Sequence, residues 1–262
     1  MSVLLEVCCG DIASVGAARS AGAARIELCS ALTEGGLTPT PAMIRMAVDG
    51  GGPAVNVLIR PRSGDFLYSA DEVAQMEAEI ADAVAAGADG IVVGALTADG
   101  DVDVDAMRRF MAVADDRPVT FHRAFDLCRD PRRALGDLIA LGCRRVLTSG
   151  QAASALEGAE FIRRLVEDAD GKIIILAGGG VTAENCREIV RLTGVEELHA
   201  SAKHTVGSAM RFRRADVSMG TPDADEYSRA TTDASRVAAI IKALEYETDT
   251  DIFYRSVCDT DS

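Results

Sequence analysis

Lysine is almost missing from this chain: three residues, against 24 arginines, 25 aspartates and 16 glutamates, for a net charge of −14. That balance argues against nucleic acid or an anionic membrane surface as the main partner. A Lys-poor, Asp-rich surface suits a high-salt cytosol, where screening tolerates the self-repulsion. No apolar run approaches the roughly 18 residues that would span a bilayer. A basic segment leading into a long apolar stretch is also missing at the start, so no secretory signal is expected and the cytoplasm is the expected location. Cysteine is present but unpatterned. The seven, Cys8, Cys9, Cys29, Cys128, Cys143, Cys186 and Cys258, are odd in number and contain no C-x-x-C pair. Neither a disulfide framework nor a zinc ribbon follows, and most read as buried reduced thiols. No phosphate-binding Walker loop, G-x-S-x-G elbow or dinucleotide fingerprint occurs. Nothing requires an organic cofactor.

What the chain does have is alternation. Strand-like runs begin near Val3, Arg25, Ala54, Gly90, Val119, Arg145, Lys172 and Glu197. Between and after them lie helical patterns: Asp11 to Ala21, Thr40 to Val48, Ser69 to Ala86, Asp103 to Ala114, Pro131 to Leu141, Ala153 to Ala169, Glu184 to Thr193 and Asp233 to Glu245. Start signals such as Ser69 with Glu72 three residues on, and terminal glycines at 22, 87, 142 and 194, punctuate them. This repetition without a composition break predicts an α/β, (β/α)8 TIM-type barrel as a single domain over residues 1–245, followed by a short acidic tail over 246–262. An open doubly wound sheet is the alternative, weakened by the missing dinucleotide fingerprint.

In a barrel the C-terminal strand ends converge on one rim, where chemistry sits. Those ends carry Glu6 and Cys8, Glu27 and Cys29, Arg60 and Arg62, His122 and Arg123, Ser149, Gly178 to Gly180, and His199 with Ser201. Leu5-Glu6-Val7-Cys8 and Ile26-Glu27-Leu28-Cys29 repeat one pattern, with Glu and Cys two apart and so on one face of each strand. Buried carboxylates need partners, and Arg60, Arg62 and Arg123 are the expected ones. The alternative for the two glutamates is a structural ion-pair layer. Functionally, Glu6, Glu27 or His122 would move a proton, while Arg60, Arg62, Arg123, Ser149, Gly178, Gly179, Gly180, His199 and Ser201 would hold a small anionic substrate. The three glycines would serve as an anion loop after strand seven. Two thiols on neighbouring strands, Cys8 and Cys29, would also suit Cu(I), unless they are simply two buried cysteines.

Taken together, Leu5 to Cys8, Arg25 to Cys29, Glu34-Gly-Gly-Leu-Thr-Pro39, Ile59-Arg-Pro-Arg-Ser-Gly-Asp-Phe66, Val119 to Asp126, Val146 to Gly150 and Asp225-Glu-Tyr-Ser228 resemble the CutC family in order. The resemblance covers residues 3 to 245. Ser63 stands where the family pattern usually has glycine, and the acidic tail lies outside that pattern. The resemblance implies a TIM-type barrel, cytoplasmic, often homodimeric, associated with copper homeostasis, with Cys8 and Cys29 as Cu(I) ligands. It leaves a second expectation open: an enzyme of unassigned reaction acting on a phosphorylated or carboxylated small molecule.

Overall fold

The computed structural model describes residues 3–214, 216–217 and 225–245. Eight parallel strands close into a barrel: β1 (Leu4–Cys9), β2 (Arg25–Leu28), β3 (Ala54–Leu58), β4 (Gly90–Val93), β5 (Val119–Phe121), β6 (Arg145–Thr148), β7 (Ile174–Gly178) and β8 (Glu197–Ala200). Closure is made by β8 pairing with β1, Glu6 standing opposite His199. Helices α1 (Ile12–Ser20), α2 (Pro41–Asp49), α3 (Ala70–Ala85), α4 (Val104–Ala114), α5 (Pro131–Leu141), α6 (Ala159–Ala169), α7 (Cys186–Thr193) and α8 (234–245) follow the strands. The closed barrel is the predicted fold, and the doubly wound alternative is excluded. No helix among the described residues is long and apolar enough to cross a membrane. The 246–262 segment lies outside the described residues.

Local chemistry explains the boundaries. Ser69 and Glu72 exchange hydrogen bonds with each other's backbone N–H in a capping box that starts α3. Asp130 caps α5 ahead of Pro131, and Gly142, at φ +81°, ends that helix in the left-handed conformation that glycine adopts at low cost. One expected helix is corrected. The sixth starts at Ala159 rather than Ala153, because Gly158 packs directly on the Ser149 carbonyl: a Cβ there would lie 2.0 Å from that oxygen. The chain must therefore turn through 151–158 before helix begins.

The period-two alternation of the strands splits the apolar residues into two shells. Leu5, Val7 and Cys9 face outward into the large core shared with the helices. Cys8, Cys29, Leu58 and Val92 form a separate small cluster inside the barrel, covered by Leu32. Beyond β8 the chain adds an antiparallel pair, β9 (Lys203–Gly207) and β10 (Ser228–Thr232), which no sequence signal announced. It is tied to the first strand's loop: the Thr232 hydroxyl donates to the Cys8 carbonyl at 3.2 Å, and Arg229 pairs with Asp11 at 2.6 Å. The strand ends that carry chemistry are thus braced from the far end of the sequence.

Candidate functional site

The barrel interior is built in tiers, two residues per step along each strand. The lower tier is ionic and closed. Arg25 Nε donates to Glu6 Oε2 at 2.5 Å, and its other end pairs with Glu197. Arg145 Nε reaches the same Glu197 oxygen at 2.8 Å, and the Asn56 amide donates to Glu6 at 3.1 Å. Two arginines face two carboxylates, so the buried charge balances. The expected pairing of the glutamates with Arg60, Arg62 and Arg123 is therefore corrected. Arg25 and Arg145 sit at strand starts, nearer the carboxylates than any rim arginine. Period-two spacing would have shown it: Arg25 lies two residues before Glu27, and Glu197 two before His199.

Above this tier sits a mixed one. His199 Nδ1 lies 2.9 Å from Glu6 Oε1, and its Nε2 lies 3.8 Å from Glu27 Oε2. The Cys8 and Cys29 sulfurs are 3.7 Å apart, and Gly36 approaches Cys29 so closely that a Cβ would touch the thiol. Gly178 leaves room for the His199 ring and for Leu147, whose methyl would lie 2.6 Å from a Cβ there. One donor atom each from Cys8, Glu27 and His199 lie within 4.8 Å of one another.

Electrostatics follow from this crowding. Burial would raise the Glu6 carboxyl, but bonding and attraction from His199 and Arg25 outweigh it and hold Glu6 at about 2. Burial raises Glu27, with the Glu6 charge adding to it and His199 only partly opposing. For His199 burial acts downward, yet Glu27, Cys8 and Glu6 together push it well above its usual value, so the ring carries a proton between two acids. The contact with Cys29, then burial, pushes the Cys8 thiol up. The tier holds protons that a cation could displace.

The remaining rim residues fall into three places. Arg60, 7% exposed, spends its terminal nitrogens on loop carbonyls, Nη1 on Glu34 at 2.8 Å and Gly36 at 3.1 Å, Nη2 on Gly64 at 2.7 Å. Arg62 is committed to Glu72 at 2.5 Å and Asp65 at 3.1 Å near the surface. Arg123 bridges Asp126 at 2.7 Å and the Ser149 hydroxyl at 2.8 Å, with the Gly179 turn against its guanidinium. Asp126 also accepts from the Thr148 and Ser149 side chains, which brackets the β5 and β6 loops together. His122 is buried under Phe66, ring centroids 4.8 Å apart, and burial followed by the nearby Arg60 charge lowers it to about 3. Gly180 and Ser201 line a separate cavity of about 430 Å³ between the β7 and β8 loops and α8, with Lys203 and Arg236.

Fold and site together define a parallel (β/α)8 barrel with a thiol, imidazole and carboxylate cluster buried at its C-terminal mouth. The fold alone is shared with distant barrels such as the N-(5'-phosphoribosyl)anthranilate isomerase of Pyrococcus furiosus, at TM-score 0.53 and 11% identity over 93% of this chain and 99% of that one. The CutC family model matches residues 3–204. A family protein CutC of Chromobacterium violaceum is 49% identical over 94% of this chain and 99% of its own. A human protein named copper homeostasis protein cutC homolog is 46% identical over 90% of this chain and 87% of its own. The crystal structure of a CutC protein from Streptococcus agalactiae, also named for copper homeostasis, superposes at TM-score 0.73 with 35% identity, over 76% of this chain and 98% of that one. The chain belongs to the CutC family.

Proposed function

We propose that the protein handles copper by binding Cu(I) in the barrel mouth, between the Cys8 and Cys29 sulfurs, with His199 as third donor. One observation carries this reading: two thiols 3.7 Å apart stand beside a part-buried imidazole. Thiolates and imidazole are the donors a soft monovalent ion selects, and the neighbouring Glu27 oxygen is the harder, weaker candidate. Glu6 on Nδ1 orients the His199 ring so that Nε2 faces the cluster, a carboxylate–histidine arrangement that fixes which nitrogen is offered. Cys8 and His199 both hold protons in the free protein, so binding would release them and affinity would rise with pH. A reducing cytoplasm suits a site that needs both thiols free. Anaerobic Cu(I) titration against a competing chelator tests the reading. The Cys8→Ser, Cys29→Ser double variant should lose the stoichiometric tight site, and unchanged affinity would overturn the assignment.

A second reading is favoured by Glu27, raised by burial, standing 3.8 Å from the raised His199 ring beneath the mouth. Such a pair is matched to acid–base work on a small anionic substrate. It predicts turnover that Glu27→Gln abolishes and the double cysteine variant keeps. Turnover lost in both variants alike would count against it. The family likeness also leads us to read the protein as a homodimer, which light scattering of the purified chain checks.

A further inference from the structure

Three polar groups near the mouth are buried and have no hydrogen-bond partner: Arg60 Nε, Tyr68 Oη and His122 Nε2. They belong together. Arg60 lies over the Phe66 ring, 5.1 Å from its centroid, and His122 packs on the same ring. Tyr68, two residues further along that loop, lies with its ring 5.1 Å from the Arg62 guanidinium and its hydroxyl close to Arg60, which draws on it without meeting hydrogen-bond geometry. His122 Nδ1 accepts the Ala124 N–H at 3.2 Å, which leaves the ring's proton on Nε2 as a donor. All three orphaned atoms can therefore donate. Unsatisfied buried donors are rare and costly; two flank the Phe66 ring and the third lies on the same loop beside Arg60, and together they point to something that accepts.

Charge narrows the acceptor. No carboxylate among the described residues pairs with Arg60; its contacts are the Glu34, Gly36 and Gly64 carbonyls and Phe66. With His122 neutral, the cluster holds a single uncompensated positive charge. One negative charge balances it, whereas a phosphate dianion would leave a buried charge over. Two residues below Arg60 and Gly94 along their strands lie Leu58 and Val92, part of the apolar cluster inside the barrel. Gly94 itself contributes no side chain, and the His122 ring occupies the space where its Cβ would be, 2.7 Å away.

We propose that Arg60, Tyr68 and His122 form a binding site for a small organic monocarboxylate, whose short apolar body rests towards Leu58 and Val92. Phe66, only half-buried, is the cover that the ligand displaces. The site deepens the second reading, on which it rests for an anionic ligand, by naming that ligand's class; binding needs neither metal nor turnover, so its failure is distinguishable from the failure of that reading.

The test uses the metal-free full-length protein at constant ionic strength. Acetate, butyrate, inorganic phosphate and chloride are titrated separately, following the side-chain ¹H–¹⁵N signals of Arg60 Nε and His122 Nε2 and the melting temperature. Butyrate should shift both signals saturably and more tightly than acetate, while phosphate and chloride at equal ionic strength should not. Tyr68→Phe, which removes only the hydroxyl, and His122→Phe should each weaken butyrate about tenfold. Arg60→Lys tests the charge, but it unties three loop carbonyls, so Tyr68→Phe is the variant that keeps the fold. Equal responses to all four anions would overturn the proposal, as would saturation by phosphate in preference to butyrate. Unchanged butyrate affinity in both Tyr68→Phe and His122→Phe would do the same.

Discussion

The lower and upper tiers of this barrel use the same kinds of side chain to opposite effect. Below, Arg25, Arg145, Glu6 and Glu197 cancel one another's charge through three ion pairs. Above, Glu27 is pushed up by burial and His199 is held protonated, while two thiols face each other at 3.7 Å. Higher still, Arg60 carries a charge that, among the described residues, carbonyl dipoles and an aromatic face offset. Balanced burial makes a rigid plug; unbalanced burial, stacked on that plug, makes a place for something else. Glu6 links them, accepting from Arg25 with one oxygen and facing His199 with the other.

The comparison breaks most directly at Arg25. Arg25→Met should leave Glu6 and Glu197 short of a partner in a buried tier and cost about 3–5 kcal/mol in urea unfolding. A loss under about 1 kcal/mol would mean that the lower tier is not the plug.

Acid separates the tiers next. Glu6 is depressed from 4.5 to about 2, so its stability is complete above pH 4.5 and lost as pH falls towards 2. His122 is depressed from 6.5 to about 3, so the unfolded chain takes up that proton first and stability drains away as pH falls below 6.5. His199 runs the other way: with its folded value raised, its contribution is full below 6.5 and is lost only as pH climbs through that raised value. Wild type should therefore lose on the order of 2 kcal/mol more than His122→Phe between pH 7 and 5. Parallel stability curves would show that His122 is not held neutral.

Gly94→Ala sharpens the picture by 1 to 3 kcal/mol. Its Cβ would press on a ring that is already pinned by the Ala124 N–H, and a melting curve reads the loss. Smallest of all, Arg62→Ala should cost less than about 1 kcal/mol, because its pairs with Asp65 and Glu72 are partly solvated. A larger loss would move Arg62 into the mouth's machinery.

Much of the fold could be read from the chain because buried parallel strands are continuous apolar runs that start after glycine or polar punctuation. Arg25, Ala54, Gly90, Val119, Arg145 and Glu197 open strands where that pattern places them. The β9–β10 pair could not be read, since Ser228 follows Gly207 across a long interval and carries no turn signal linking them. The helix expected at Ala153 failed for a similar reason: contact between Gly158 and Gly150 is tertiary, invisible to periodicity. At the site, the Cys8, Cys29, Glu6 and Glu27 grouping was legible through the internal repeat. His199's place between the glutamates came only with barrel closure, which sets β8 beside β1. Unpartnered donors such as His122 Nε2 have no sequence signature at all.

The brace between Thr232 and the Cys8 carbonyl has a consequence in time. A ribosome releases Cys8 and Cys29 long before it releases His199, and the Thr232 contact spans 224 positions. For most of synthesis the two thiols are exposed on an incomplete sheet with neither imidazole nor brace. Under the Cu(I) reading proposed above, metal loading is expected to follow chain completion, not accompany it. A chain ended at residue 217, lacking β10, should leave Cys8 open to alkylation that the full-length protein resists. Equal protection in both would show that the first strands hold their own rim.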